Sequence, residues 1–323
     1  MKIRHLKFFL SLMLLFATIA AYSQIGMRIV LNRKVFMQYE PVYACVTIKN
    51  NTGRVLAFGN DPRLQGFVYF IVTDSKGRRV PKIEGKEISV LGLTLKPGEE
   101  RNMVIAVNDY YNLDTPGIYT VNACVAHNML PHEYVCREDR SFMIDTGVEI
   151  WSQVTGVPDL SDSPDAARPA KERKYGIRLL TEPPDKHYYL FVEDEKMVYG
   201  VARIGKKIGT EKFSAEVDML GRIHLLIPLG AKVFHYLTYS IDGVNTSNTY
   251  WKTSDTIPML YRDPKNGIVS RLGGVEAKRG VDYLEYQGTP ASKLLNKQPA
   301  PLRNEGLSDL NQDISLTGND ATD

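Results

Sequence analysis

The sequence predicts an all-β protein that is built from two β-rich units. Between residues 27 and 147, short runs of alternating apolar and polar residues recur about every ten residues, and Gly, Pro, Asn and Asp stand between the runs. Alternation with period two between turn residues is typical of half-buried strands in a sandwich. From residue 175 to about 283, similar runs are separated by short loops, which favours an antiparallel meander.

The first unit is predicted to contain several strands with one apolar face. Val42, Ala44, Val46 and Ile48 share a face of a strand that ends at the turn Asn50-Asn51-Thr52-Gly53. Further strands are expected at Phe67–Thr73, Leu91–Leu95, Met103–Val107 and Ile118–Val125, the last with Tyr119, Val121, Ala123 and Val125 on one face.

Three segments of this unit carry a resemblance to a known kind of domain. They are Glu40-Pro41-Val42 leading into VTIKN at 46–50, LKPGE at 95–99, and PGIYTVNA at 116–123. This half resembles the immunoglobulin-like sandwiches of secreted bacterial proteins and is similar to the BsuPI-type proteinase inhibitor domain. The resemblance implies an immunoglobulin-like β-sandwich over residues 24–147. These positions belong to the core and turns in that family too, so inhibition does not follow from them.

The composition changes after the first unit. Residues 148–172 are predicted to form a linker, because PDLSDSPDAARPAKER at 158–173 is rich in Pro, Asp, Ser and Ala and has no apolar period. A smaller antiparallel β domain is expected over 173–284 and a disordered tail over 285–323. The order of sandwich and meander is similar to that of exported two-domain β proteins of environmental and gut bacteria, a resemblance that implies no activity. The predicted strands of this domain are Ile177–Thr181, Tyr188–Glu193, Met197–Arg203, Phe213–Asp218, Ile223–Ile227 and Val233–Ile241.

The N-terminus predicts export. Lys2, Arg4 and Lys7 precede an apolar run at 8–20, and the small residues of Ala21-Tyr22-Ser23 precede Gln24. This is the pattern of a cleaved secretory signal, and the run is too short to remain as a membrane-spanning helix. Residues 1–23 are therefore predicted to be a signal peptide and the product to be periplasmic or secreted, with no membrane span in the mature protein.

The charge balance argues against a nucleic-acid partner. The whole chain has 40 Lys and Arg against 37 Asp and Glu, and removal of the three basic residues of the signal leaves 37 of each. A neutral chain without a basic run lacks the charge that neutralises phosphates.

Three cysteines stand in this export context, namely Cys45, Cys124 and Cys136. Cys124 and Cys136 flank a predicted hairpin turn at 128–132, so a disulfide between them is one expectation. The alternation pattern leaves the register open, because a slip of one residue would place the two side chains on opposite faces. Cys45 is expected to be a buried free thiol.

No motif for catalysis, a cofactor or a metal is recognised. His127 and His132 lie near Cys124 and Cys136, but their spacing is not that of a zinc site. The acidic run Glu193-Asp194-Glu195 is typical of a solvated turn. Aromatic residues on strands of the second domain are the strongest binding candidates, since Tyr and Trp often contact glycans and proteins, although most are expected to form core. The candidates are Tyr188, Tyr199, Tyr236 and Trp251.

The favoured function is an exported, non-enzymatic binding or structural module of the bacterial envelope with a protein or glycan partner. One alternative is an extracytoplasmic proteinase inhibitor that uses the loop Asn108–Thr115. A second is a carbohydrate-active enzyme that uses Glu193 or Glu195.

Overall fold

The computed structural model describes residues 24–157 and 171–284. The predicted signal peptide, residues 158–170 of the predicted linker and the predicted tail lie outside the described residues. The described chain is all-β, as predicted, with one short 3₁₀ turn at Val107–Asp109. Its strands are β1 (Ile25–Leu31), β2 (Val35–Met37), β3 (Tyr43–Asn50), β4 (Leu56–Ala57), β5 (Gly66–Asp74), β6 (Thr94–Leu95), β7 (Glu100–Ala106), β8 (Gly117–His127), β9 (Tyr134–Val135), β10 (Arg140–Asp145), β11 (Val148–Val157), β12 (Lys171–Glu182), β13 (Asp185–Glu193), β14 (Val198–Lys206), β15 (Ser214–Val217), β16 (Ile223–Pro228), β17 (Val233–Tyr239), β18 (Asn245–Lys252), β19 (Met259–Arg262), β20 (Val269–Leu272) and β21 (Val275–Glu276).

The first unit is the predicted immunoglobulin-like β-sandwich. One sheet has the order β1-β3-β7, and the other has the order β2-β10-β8-β5 with β9 paired to β8. All pairs in these two sheets are antiparallel except β2 with β10, which is parallel. The core lies between the two sheets.

The predicted apolar faces of this sandwich are confirmed. Val42, Ala44, Val46 and Ile48 are fully buried, and alternate residues of β8 from Tyr119 to Val125 are buried as well. The segment with the three leucines differs from the expectation: only Thr94–Leu95 forms a strand there, and Leu91 is exposed. A turn at Leu91-Gly92 interrupts the expected alternation, and the backbone of Gly92 adopts a positive φ of 81°.

The second unit is a sandwich of two antiparallel meanders. One sheet has the order β11-β12-β13-β14 and the other has β15-β16-β17-β18-β21, with the hairpin β19-β20 outside both. Its core is formed by the facing sides of the two sheets, for example Ile177 and Leu190 against Leu225 and Leu237. Strands β18 to β21 were not predicted, because Asn245–Lys252 is polar on both faces and the later strands are only two to four residues long.

The predicted linker at 148–172 is wrong at its flanks. Residues 148–157 form β11, which pairs with β12 from Val148 opposite Leu179 to Val157 opposite Lys171. Residues 158–170 therefore connect two neighbouring strands of one sheet. Composition rich in Pro, Asp and Ser marks a loop but does not tell which elements the loop joins.

The chain passes from the first sandwich to the second at Thr146 and Gly147. Gly147 has a φ of +65°, and a Cβ there would lie 2.8 Å from Cε of Met37 and 3.0 Å from the carbonyl oxygen of Leu179. The two sandwiches share a small apolar cluster in which Met37 of β2 packs with Leu180, Tyr189 and Phe191 of the second unit. They are therefore packed against each other and joined by two residues.

We expect the chain to stay in one piece when it is cut between β11 and β12. Cleavage at a specific protease site inserted between Pro164 and Asp165 would divide the chain into one fragment with the first sandwich and β11 and another that begins before β12. Because β11 remains paired with β12 and Met37 remains packed on Tyr189, both fragments are expected to elute together in gel filtration. The same site inserted between Leu284 and Glu285 is the control, since the tail at 285–323, which the sequence predicts to be disordered, is expected to elute separately after cleavage there. Separate elution of the two halves would contradict the shared sheet.

Candidate binding cleft and domain junction

A buried polar network stands at the junction of the two sandwiches. Arg33 follows β1 and is 8% exposed, and its guanidinium forms an ion pair with Glu40. Its Nη1 donates to the hydroxyl of Tyr189 on β13 at 2.7 Å, and that hydroxyl lies 3.4 Å from Oε1 of Glu40. Glu40 also accepts the backbone N–H of Met37 at 3.1 Å. One arginine thus ties the turn before β3 to the second sandwich.

A tight turn from Met37 to Glu40 places the carboxylate of Glu40 beside Arg33. The turn from Met37 to Glu40 is closed by the backbone N–H of Glu40, which donates to the carbonyl of Met37 at 3.0 Å. Tyr39 within this turn has a φ of 66°, a conformation that costs a residue with a side chain on the order of 1 kcal/mol. The ion pair is thus formed by a turn that the backbone alone would not favour.

Electrostatics at the junction favour the charged form of Arg33. Burial alone would lower the pKa of Arg33, but the neighbouring carboxylate of Glu40 outweighs it and the pKa is raised. Burial raises the pKa of Tyr189 and the charge of Glu40 raises it further, so Tyr189 acts as a neutral hydroxyl.

Glu182 extends this network toward a cleft in the second sandwich. Its Oε2 lies 3.1 Å from Nη2 of Arg203 and 3.9 Å from Nη1 of Arg33. The same oxygen lies 3.9 Å from Nε2 of His187, which is buried. Arg203 and His187 also line the cleft, so the junction and the cleft share polar residues.

The cleft, which we call the lateral cleft, has a volume of about 850 Å³. One wall is the end of β14, from Arg203 to Lys206, and the other is the inner face of β17 and β18. His235 and Tyr250 lie opposite each other across these two strands, and their rings stack at 4.4 Å. Tyr283 stacks on Tyr250 at 4.0 Å and closes one side.

The charges that border the lateral cleft are paired. Nζ of Lys206 lies 2.6 Å from Oδ1 of Asp185, and Nζ of Lys252 lies 2.8 Å from Oδ1 of Asp282. Arg203 is paired with Glu182, as described above. The cleft therefore offers an apolar and aromatic surface with a neutral polar border.

The histidines of the cleft are held neutral. Burial, together with the nearby cation of Arg203, lowers the pKa of His187 to about 4. Burial also lowers the pKa of His235, whose Nε2 lies 2.6 Å from Oδ1 of Asn248. The lining of the cleft thus combines two neutral imidazole rings with aromatic and aliphatic side chains.

A second polar cluster on the same sandwich is structural. Asp218 is buried and accepts hydrogen bonds from the backbone and side chain of Arg222, which closes the turn before β16. Nε2 of His224 lies 3.1 Å from Asp218, and Nδ1 lies 2.8 Å from the hydroxyl of Tyr236. These residues satisfy one another's hydrogen-bonding groups, and none of them lines the lateral cleft.

The four aromatic binding candidates lie in different environments. Tyr188 is 3% exposed and belongs to the core of the second sandwich. The ring of Tyr199 carries the guanidinium of Arg173 at 3.3 Å, and its hydroxyl donates to Asp194 at 2.6 Å. Tyr236 is bound to His224, and the ring of Trp251 is covered by Arg271 at 3.2 Å. They do not form one binding face, because Tyr236 and Trp251 lie on the side of their sheet that faces away from the core.

The expected disulfide is not formed, and Cys45, Cys124 and Cys136 are all free and buried. Cys124 lies opposite Val135 in the β8–β9 pair, while the N–H of Cys136 bonds to Ala123. This register places Cys136 in the core and Cys124 on the other face of the sheet. Burial raises the pKa of the Cys124 thiol to about 12, so it is not a nucleophile.

The other sequence candidates are occupied by structural contacts. Glu193 pairs with Arg178 at 3.2 Å, and Glu195 lies exposed in a turn. His127 uses both ring nitrogens, on the carbonyl of Ala57 at 2.9 Å and the N–H of Met129 at 3.0 Å. The proposed inhibitory loop 108–115 is anchored in the first core by Tyr111, which is buried.

Sequence reasoning missed the residues that join the two sandwiches. Arg33, Glu40 and Glu182 come from three separated segments, and no spacing pattern links them. The only local signal was Arg33 itself, a charged residue next to the apolar strand β1.

Comparison with known families gives a match for the first sandwich. The family model of flagellar collar protein C, N-terminal domain, matches residues 27–139. The matched stretch begins within β1 and ends just before β10, so it lies within the first sandwich. Comparison with curated proteins gives no match.

Several solved structures are similar to the chain at low identity. The sporulation control protein Spo0M from Bacillus subtilis is 10% identical, with 57% of this chain and 91% of that chain covered and a TM-score of 0.26. The chaperone DraB from E. coli is 10% identical, with 71% and 98% covered and a TM-score of 0.22. The YadV chaperone is 8% identical, with 70% and 99% covered and a TM-score of 0.23.

We expect the substitution Arg33→Met to lower the free energy of unfolding by about 3–5 kcal/mol, because it leaves the carboxylate of Glu40 buried without its partner. Urea denaturation measures the change. The matched control is the double variant Arg33→Met with Glu40→Gln, in which a neutral amide still accepts the N–H of Met37. The double variant should recover most of the loss, and equal stability of the single variant and the wild type would contradict the role of the pair.

We expect His187 to make the fold sensitive to acid. The unfolded chain binds a proton at His187 near pH 6.5, whereas the folded state does so only near pH 4. The contribution of neutral His187 is therefore complete above pH 6.5 and is lost as the pH falls to 4, by on the order of 3 kcal/mol. Urea denaturation of the wild type and of His187→Gln, measured from pH 8 to 4, should give curves that converge toward acid. Parallel curves over this range would contradict the assignment.

Proposed function

We propose that the chain is a non-enzymatic structural subunit of the bacterial envelope that takes part in a flagellar collar. The observation that carries this proposal is the match of residues 27–139 to the N-terminal domain of flagellar collar protein C. An envelope location is supported by the export pattern of residues 1–23. In the described part of the chain, no helix is long and apolar enough to cross a membrane.

The chemistry of the site supports binding over catalysis. The histidines beside the lateral cleft are neutral, the bordering cations are paired, and the three thiols are buried. The acidic residues Glu193 and Glu195 do not line the lateral cleft. A subunit whose role is to hold other proteins in place needs stable surfaces and no reactive group.

The outer face of the sheet β2-β10-β8-β5 is the surface that we assign to a neighbouring collar protein. Phe67 on β5, Ile118 on β8 and Val135 on β9 are 51%, 54% and 48% exposed. They share one face, because Phe67 lies opposite Ala126 and Val135 lies opposite Cys124 on the side that faces away from the core. These three side chains lie within the matched residues 27–139, and exposed apolar side chains on one face are typical of a protein–protein contact.

We expect deletion of the gene to remove density from the flagellar collar, as seen by cryo-electron tomography of the bacterium that carries it. The wild-type gene should restore the density, and so should a Met219→Asp variant, which changes an exposed side chain of the second sandwich. The double variant Phe67→Asp with Ile118→Asp should not restore it, because the two carboxylates place charge in the proposed contact. Immunoblots of each strain measure whether the variant accumulates. Intact collars in the deletion strain would overturn the proposal.

A further inference from the structure

The lateral cleft follows the backbone edge of β14. Four consecutive residues, from Arg203 to Lys206, line it. Ile204 is the extra residue of a β-bulge, and Arg203 and Gly205 lie opposite Tyr189 and Tyr188, whose side chains point to opposite faces of the sheet. Side chains from both faces of β14 therefore reach the cleft, so the cleft runs along the strand's edge. The other edge of β14 pairs with β13, and no strand of the described residues pairs with the edge in the cleft. Backbone N–H and C=O groups on this edge are open to pairing.

The two sheets of the second sandwich leave room for one strand beside β14. At one end of β14 the sheets close tightly, since a Cβ on Gly200 would lie 3.1 Å from Cα of Gly243. At the other end, a Cβ on Gly205 would lie 3.5 Å from Ile227, which is fully buried. His235 and Tyr250 continue the same cross-strand row as Ile227, but they face the cleft. The inner face of β17 and β18 thus extends past the last strand of the opposite sheet.

The walls of this space select for an uncharged occupant. Ile204, Ile208, Leu229 and Val233 supply aliphatic surface. The bordering cations Arg203 and Lys206 are each within 3.1 Å of a carboxylate of their own, so they offer no charge to an anionic ligand. A charged side chain placed in the cleft would lose its hydration without gaining a partner.

We infer that the lateral cleft receives an extended, uncharged segment of a partner polypeptide, which pairs with β14 as a fifth strand of that sheet. Main-chain hydrogen bonds to β14 hold the segment, and every second side chain points onto His235, Tyr250 and Val233. The inference concerns the second sandwich, which lies outside the matched residues 27–139, and it does not depend on the collar assignment. Its failure would leave that proposal unaffected.

The test uses the chain from Gln24 to Asp323 and a phage library of random heptapeptides, with enriched sequences resynthesised for fluorescence polarisation. We expect the enriched peptides to be uncharged and to carry apolar residues at alternate positions. The variant Val233→Asp should bind them at least tenfold more weakly. The matched control Val244→Asp, which is 61% exposed in the turn at the far end of the same sheet, should bind them as the wild type does. If Val233→Asp does not fold, as judged by circular dichroism, Ile208→Asp replaces it.

Backbone recognition is tested with N-methylated peptides. Alternate backbone N–H groups of an extended peptide point to the same edge, and only one edge of the peptide meets β14. Methylation of the nitrogens on that edge should abolish binding, and methylation of the nitrogens on the other edge should leave it intact. Tolerance of methylation on either edge, enrichment of charged peptides, or no enrichment would overturn the inference. Two further results would overturn the choice of occupant. A wild-type dimer in sedimentation that Val233→Asp dissolves would assign the cleft to a second copy. Binding by a chain that ends at Leu284 but not by the full chain would assign it to residues 285–323.

Discussion

The buried ion pair between Arg33 and Glu40 is the interaction on which the arrangement of the two sandwiches depends. Both groups are taken out of water, and the loss of hydration is offset because Arg33 reaches Glu40 and the hydroxyl of Tyr189 together. Apolar contact at this interface is small, since only Met37 of the first sandwich enters the fully buried cluster with Leu180, Tyr189 and Phe191. The polar network therefore supplies the directional contacts that fix how the sandwiches meet, and Glu182 carries that network from the junction to the wall of the lateral cleft.

The second sandwich differs from the first in how completely its sheets cover each other. In the first, the strands of both sheets close over one continuous core. In the second, the edge strand β14 covers Ile227 of the opposite sheet. His235 and Tyr250, which lie beside Ile227 on the next two strands of that sheet, face the open cleft instead. The rings there are not exposed singly, because Tyr250 stacks between His235 and Tyr283. These rings pack against one another although no strand covers them, and this contact stabilises the apolar wall of the cleft.

The fold class and most strands could be predicted from the sequence because apolar residues at alternate positions of a strand are the ones that face the core. Val42, Ala44, Val46 and Ile48 show this, as each apolar residue in the pattern is buried. The connection between the units could not be predicted, since β11 looks like the end of one unit but pairs with the next strand of the other. The disulfide expected between Cys124 and Cys136 is absent because Cys124 pairs with Val135, one residue away from Cys136. This shift places the two thiols on opposite faces of the sheet, and composition cannot predict the register. The site residues come from separate turns and sheet edges, where distance along the chain carries no information on proximity in space.

The two-residue passage at Thr146 and Gly147 has a consequence for assembly geometry. Gly147 has no room for a side chain, and its positive φ sets the direction in which β11 leaves the first sandwich. A chain joined in this way holds its two halves in a fixed relative orientation. When identical rigid proteins contact one another through the same two surfaces, each copy is rotated by the same angle relative to the one before it. Such a series closes into a ring only if a whole number of these rotations makes a full turn. The conformation of one glycine would then help to set the curvature and the circumference of any ring that this chain builds.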